Sequence, residues 1–389
     1  MMLGSIFILI LISIIYIFIS RWGELAIKNV KYERYVNKKI VYPNEEILIT
    51  TIISNNKIIP LPWIEIYTEL PEPIKYKDQI VEYKENINTN IYKVITSLFP
   101  FQRVIRRNRF YIKKRGYYQI NNLQITIGDF LGFAKGVMNV KTSLNIVVYP
   151  EIMSIEDLIV EENNPQGDIS VRRWIIQDPI QIKGVRKYTL NDSFNIIDWK
   201  ATAKTGDLYV KEFDFTSEPS LMILLNVQCD EQPWRDVNEE KIEQGINIAA
   251  AIMNECLDSK IPVGFSTNSL SYSDNSIYNN LTVISPDINL RQGEYILDAL
   301  AKVSYMSKIK IENFMKKNID IYDKYTTLVL ITPYLNEKAI KIVNDYTNFG
   351  YKFKFILLKN DINISNLDSM IEIYRVNNLN SIVKEKNYA

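Results

Sequence analysis

Nine residues between positions 184 and 212 have the types and spacing that could do chemistry. They are Arg186, Tyr188, Asp192, Asp198, Trp199, Lys200, Thr202, Lys204 and Glu212. Charges of both signs at this density form an anion or peptide site if they share one surface. They serve equally as a keystone, with Trp199 and Phe194 filling a gap between two large domains and Asp198 pairing with Arg186 or Lys200 at its edge. Energetics favour packing as the dominant role: an exposed ion pair contributes about 0–1 kcal/mol, whereas burying an indole contributes roughly a few kcal/mol. The segment holds no nucleophile with an adjacent base and no phosphate-cradling glycine loop.

The rest of the chain removes most catalytic classes. Among 389 residues there is no histidine, which excludes histidine triads, histidine-ligated zinc and imidazole proton switches. Cys229 and Cys256 lack CxxC spacing; a disulfide between them is one reading, and structural thiols of a reducing compartment are the one expected. "KTGD" at 204–207 lacks the glycine-rich loop of a nucleotide site, and neither GxGxxG nor GxSxG occurs. Glu239-Glu240 opens a helix, where acids favour the dipole. The net charge of +1 speaks against a general polyanion binder, so no nucleic acid is expected, and no cofactor. One local exception is "RVIRRNRFYIKKRGYY" (103–118), either a patch for anionic lipid or polyanion or a strand whose cations face water while its aromatics pack.

Several elements must position these residues. Over 24–150, short runs rich in Ile, Val, Tyr and Thr, punctuated by Asn, Pro and Gly, predict an antiparallel β-sandwich of immunoglobulin or fibronectin type. A connecting segment over 151–218 carries the charged motif; within it Asp192 is expected to cap a helix over 193–204 that Gly206 ends. From 219 to 389, apolar strands such as "LMILLNV" and "TTLVLIT" alternate with amphipathic stretches such as 238–259, which predicts an α/β open parallel sheet with helices on both faces.

Residues 3–20, "LGSIFILILISIIYIFIS", carry no charge. As a helix they would be about 27 Å long, close to the roughly 30 Å hydrocarbon core. A single-pass transmembrane anchor is expected there, with Tyr16 and Trp22 as interfacial aromatics. Arg21, Lys28, Lys31, Arg34, Lys38 and Lys39 follow it, which places the large C-terminal part on the cytoplasmic side of the cell membrane.

The order of these parts, with Gly184, Arg186, Tyr188, Asp192, Ile197, Asp198, Trp199, Lys200, Thr202, Ala203, Lys204, Leu208, Val210 and Glu212, resembles the bacterial family labelled domain of unknown function 58. "KRGYYQINNLQITIGDFLGFAKG" looks like that family's hairpin through Arg115, Gly116, Tyr117, Asp129, Gly132 and Phe133, and "VVYPEI" (147–152) fits as well. The chain departs from the pattern at Asn191, where glycine is usual, at Asn195, where a basic residue is common, and in carrying one expected membrane helix rather than two. The resemblance implies a C-terminal domain similar to a von Willebrand factor A domain and a partner of the MoxR type, an AAA+ ATPase. Such domains hold Mg²⁺ through a DxSxS sequence after the first strand, with a further Thr and Asp from other loops. Here Asn226, Gln228 and Asp230 stand at those positions, and Thr332-Pro333 follows the later strand where an acid is usual. The charge that would offset dehydration of the ion is gone, so a degenerate, metal-free ion site is expected.

The expected function is therefore a membrane-anchored, non-catalytic binding or scaffolding protein that works with an AAA+ ATPase. The alternatives are a cell-envelope hydrolase, which needs converging carboxylates, and an anionic-lipid or polyanion binder through 103–118.

Overall fold

The computed structural model describes residues 13, 21–71, 74–76, 82–84, 89–130, 132–153, 182–189, 197–213, 220–232, 235–271, 281–322, 324–376 and 382–384. They fall into two compact units, Met1–Pro150 and Glu151–Ala389.

The first unit is built from strands β1 (Val30–Val36), β2 (Ile40–Val41), β3 (Glu46–Asn55), β4 (Leu61–Pro71), β5 (Ile74–Tyr76), β6 (Glu82–Lys84), β7 (Thr89–Leu98), β8 (Arg103–Ile112), β9 (Gly116–Gly128) and β10 (Lys135–Val148). One sheet runs β1-β3-β8-β5 and the other β2-β10-β9-β4-β7-β6. The period-two pattern explains why they stack. In β4, Ile64, Ile66, Thr68 and Leu70 are buried, while the residues between them are not. Ile47, Ile49 and Ile53 of one sheet and Ile64, Ile66, Ile120, Ile125 and Ile127 of the other form one core.

Here the expected fold class requires correction. Among the described residues no helix is long and apolar enough to cross a membrane. The span expected over 3–20 lies outside the described residues except for Ser13. Trp22, expected at a membrane interface, is a core residue, 6% exposed, in a short helical stretch over 21–27. That stretch lies close against β10: a Cβ on Gly23 would come 2.6 Å from the Lys135 carbonyl oxygen. Its end is held by Lys57, whose ammonium donates to the carbonyls of Ala26 (2.7 Å) and Lys28 (2.8 Å). Burial lowers the pKa of that ammonium. The indole is buried by the protein's own sheet, which is the physical reason it is no membrane belt residue.

The second unit contains β11 (Ile182–Lys187), helix α1 (Trp199–Thr205), β12 (Tyr209–Phe213), β13 (Ser220–Leu225), α2 (Glu239–Asp258), β14 (Val263–Thr267), β15 (Ser269–Ser271), β16 (Thr282–Asp287), α3 (Gln292–Ala301), β17 (Val303–Ser307), α4 (Ile311–Ile319), β18 (Thr326–Thr332), α5 (Glu337–Asn348), β19 (Lys352–Leu357), β20 (Glu372–Val376) and β21 (Ile382–Lys384). Its main sheet has the order β16-β14-β13-β18-β19-β20-β21. The five middle strands are parallel, but β16 and β21 pair antiparallel at the edges. The sheet is thus mixed rather than parallel throughout. Middle strands such as β13 are buried along nearly their whole length because helices cover both faces. On one face Met222, Leu224, Leu328 and Phe355 pack with Phe314, Met315, Ile340 and Val343 of α4 and α5. On the other, α2 approaches so closely at Gly245 that a Cβ would meet side chains of Leu358, Leu225 and Ile331.

Candidate functional site

From β13 the chain passes to β14 on one side, and β18 lies on the other, so the strand order reverses between β13 and β18. In open α/β sheets ligands bind outside the carboxyl ends of the strands at such a point. Asn226 follows β13 there, Thr332 ends β18, and Asn268 follows β14. All three are fully buried or nearly so. The Asn226 amide nitrogen donates to Thr332 Oγ1 (2.8 Å), to the Gln228 carbonyl (3.1 Å) and to the Tyr334 carbonyl (3.4 Å). Its Oδ1 accepts from Asn268 Nδ2 (2.7 Å) and from the Gln228 amide (3.0 Å). Asn268 in turn accepts from the Val227 amide and donates to the Ile309 carbonyl.

Gln228 does a different job from ion ligation. Its Oε1 accepts from the Ile311 amide (2.8 Å), and Ile311 is the first residue of α4. Lys310, at the cap position, makes no side-chain cap bond, so Gln228 caps the helix from a distant loop. Its amide nitrogen donates to the carbonyls of Asp230 (2.7 Å) and Glu231 (3.3 Å). The Asp230 carboxylate accepts from the Glu231 amide and takes no part in the network. Thr332 Oγ1 accepts from Asn226 and the Tyr334 amide and donates to the Tyr334 carbonyl.

These residues do not fit a magnesium ion. Mg²⁺ demands near-octahedral oxygen ligation and carboxylate charge to offset dehydration. Here the oxygens of Asn226, Gln228 and Thr332 are already taken by N–H donors, and amide nitrogens occupy the gaps between them. Among the described residues no group of three or more acidic or thiol side chains could hold a metal.

Beside the network lies a polar cleft of about 440 Å³, lined in part by Glu231, Lys310, Glu312, Tyr334, Glu337 and Lys338. Glu312 and Glu337 stand in the first turns of α4 and α5, where the helix dipole favours acids. Asn336 caps α5 through the Ala339 amide (2.9 Å) and donates to Glu312 (3.0 Å), tying the two helix starts together. Burial, then the charges of Glu231, Asp230 and Glu312, raise the Tyr334 phenol above its ordinary pKa.

The charged motif forms a β-hairpin, β11 and β12, with α1 between its arms. Asp198, not Asp192, is the helix cap: its carboxylate accepts from the amides of Lys200 (3.0 Å) and Ala201 (2.9 Å). Asp192 and Phe194 lie outside the described residues. Gly206 closes the helix in the left-handed conformation with φ 78°. The Thr202 hydroxyl accepts from the Tyr209 amide (3.0 Å), and the Tyr188 amide donates to the Leu208 carbonyl (2.9 Å), pinning the helix to the strands. Lys200, Lys204 and Arg186 are exposed, and the Arg186 guanidinium donates to the Lys187 carbonyl (3.2 Å). Glu212 pairs with Gly184 through its backbone. Trp199, at the first helical position, is 67% exposed. Within the hairpin, Ile197 and Val210 are the residues that bury, bridged to each other. Asp198→Ala is expected to speed amide exchange at Lys200 and Ala201 by an amount matching about 1 kcal/mol, while the global melt stays put.

The basic-aromatic run divides by strand parity. Arg103, Arg107 and Arg109 of β8 are exposed, whereas Phe110 and Ile112 enter the core. Cys229 and Cys256 are free and buried, and burial raises both thiol pKa values. Cys256 is expected to resist iodoacetamide in the native protein and to react only on unfolding, as mass spectrometry would show. Sequence reading missed Asn268. The signal available was its place directly after an apolar parallel strand, matching Asn226.

The fold and the network together define a two-unit α/β protein with an amide-filled switch point. Residues 184–265 match the model of the family described as "Protein of unknown function DUF58". The chain is similar to "Uncharacterized protein YeaD" of Bacillus subtilis (strain 168), at 20% identity over 256 residues. That alignment covers 64% of this chain and 59% of the relative, so the chain spans less than two thirds of the relative's length. Neither the family description nor the relative carries an enzymatic name. Among solved structures, the CARDB domain of the PF1109 protein of Pyrococcus furiosus matches 31% of this chain and 91% of its own, at 13% identity and a TM-score of 0.21. The sporulation control protein Spo0M of Bacillus subtilis matches 31% of this chain and 50% of its own, at 14% identity and a TM-score of 0.18. Likeness at that level carries no argument about fold or function.

Proposed function

We propose that this chain is a non-catalytic binding protein whose motif hairpin presents Trp199 to a protein partner. The observation that carries this reading is the 67% exposed indole on a helix fixed at both ends by its caps. A large aromatic held in water on a rigid element gains nothing in the free chain, and tryptophan is a frequent anchor of protein interfaces. Lys200, Lys204 and Arg186 around it supply a cationic rim. The second unit is read as von Willebrand A-like with its ion site filled by amides, so recognition there works without a bridging metal. The family resemblance supports an AAA+ ATPase as the partner.

The test is a pull-down with the purified chain and the ATPase encoded nearest to it. Trp199→Ala is expected to shift stability by less than about 0.5 kcal/mol, as for a surface position, and to abolish capture. Capture unchanged by Trp199→Ala, or no capture by the parent chain, would overturn the reading. So would turnover of a substrate that is lost on Glu312→Gln in the cleft, since that result would make the chain a hydrolase.

A further inference from the structure

Two arginines of the first unit stand in an inward-facing row where a β-sandwich ordinarily places hydrocarbon. Arg34 of β1 pairs in register with Thr51 of β3, and Thr51 pairs with Arg106 of β8. Directly opposed residues in a sheet point to the same face. Ile53 and Ile49, two positions either side of Thr51, are core residues, so this row of Arg34, Thr51 and Arg106 faces inward. Both arginines are half-buried and line one cavity of about 20 Å³ between the sheets, room for a single water-sized group. Thr68, Tyr92 and Thr96 line it from the opposite sheet, and among the described residues that line it none is acidic.

Each arginine meets only neutral groups. Arg34 donates through Nε to the Tyr32 hydroxyl (3.0 Å) and through Nη2 to Thr68 Oγ1 (2.8 Å). Arg106 donates through Nη2 to the Ile95 carbonyl (3.1 Å). A guanidinium has five N–H donors, so both retain capacity. The Arg106 bond lies at the solvent-exposed edge of the cavity. Two like charges set one strand apart, without a carboxylate among their described partners, repel each other, and an anion between them relieves that repulsion.

We propose that this inter-sheet cavity is a binding site for a small monoanion, a carboxylate group or a halide of similar reach. The guanidiniums of Arg34 and Arg106 supply the charge and the fork geometry that match a carboxylate, and Thr51, Thr68 and Asn108 supply neutral polar contacts. The space admits the anionic head alone, so the remainder of a larger anion such as acetate stays outside it. The site is separate from the motif hairpin and does not depend on the partner-binding reading.

The experiment is chloride NMR line broadening by the purified full-length chain, followed by titration with sodium acetate. The parent protein is expected to broaden the chloride line, and acetate is expected to relieve it. Arg34→Met and Arg106→Met keep side-chain length and remove charge; each is expected to weaken chloride binding about tenfold or more. If either variant fails to fold, the competition in the parent protein still decides. Absence of broadening, broadening that acetate leaves unchanged, or equal broadening by parent and folded variants would overturn the site.

Discussion

Asn226→Asp is expected to destabilise the protein by about 3 kcal/mol or more, although it exchanges one atom for another of nearly equal size. The side chain is fully buried. The amide nitrogen donates to Thr332 Oγ1 and to the carbonyls of Gln228 and Tyr334, and a carboxylate oxygen in its place would face those same acceptors. The acceptor side of the network, from Asn268 Nδ2 and the Gln228 amide, survives the change and cannot offset the loss. Burial would raise the pKa of the new carboxyl above its unfolded value. The loss is therefore smallest at low pH and grows as pH rises through the carboxylate range and beyond. Urea denaturation across that range measures both magnitude and sign. Millimolar Mg²⁺ is expected to restore little, because Gln228 still caps α4 and Asp230 still faces its own backbone. Full recovery of stability with Mg²⁺ would show that the switch point is one substitution away from an ion site, and the claim that its amides exclude the metal would fail.

Lys354→Met should cost about 3–5 kcal/mol for a related reason. Lys354 and Glu372 stand opposite each other on the adjacent strands β19 and β20, with Nζ and Oε2 3.0 Å apart and side chains only 11% and 16% exposed. Tyr374 donates to the same carboxylate (2.8 Å), and its phenol pKa is raised by burial first and by Glu372 second. Removing the ammonium takes from a buried carboxylate the cation that stands 3.0 Å from it. Adding Glu372→Leu to the variant is expected to recover most of the loss, since an apolar pair of similar volume has no charge to desolvate. A double variant as unstable in urea as the single one would mean that packing, not charge, sets the cost.

The long periodic elements were legible because one face of each must bury. The stretch 238–259 reads as a helix from the spacing of Ile242, Ile246, Ala249, Ala250, Met253 and Leu257, and α2 buries the first five while Leu257 is only partly covered. "TTLVLIT" reads as a strand and is β18 residue for residue. The reading failed where signals were short or shared. Strand β17 and helix α4 follow one another with three residues between them, and "KIENFMKKNID" shows its period only once its cap is known. That cap is Gln228, more than eighty residues earlier, so no local pattern announces it. The edge strand β16 pairs antiparallel, which its composition does not announce. At the motif, Asp192 and Asp198 are equally good cap types; the bridge between Ile197 and Val210 keeps residue 197 extended and moves the helix start to Trp199.

Composition alone settled what chemistry the chain lacks: without histidine, and with two isolated cysteines, whole mechanisms are closed whatever the fold. Residue types also established that Asn226, Gln228 and Thr332 offer no carboxylate, because that follows from side-chain chemistry and from nothing else. Tertiary structure decided where those groups point. It brought Asn226, Asn268 and Thr332 together from three strands that lie side by side only once β13 sits between β14 and β18. It put Trp22 in a core and Trp199 in water, and it turned Arg34 and Arg106 to one inner face. Burial is a property of what surrounds a side chain, and its neighbours here come from distant parts of the sequence.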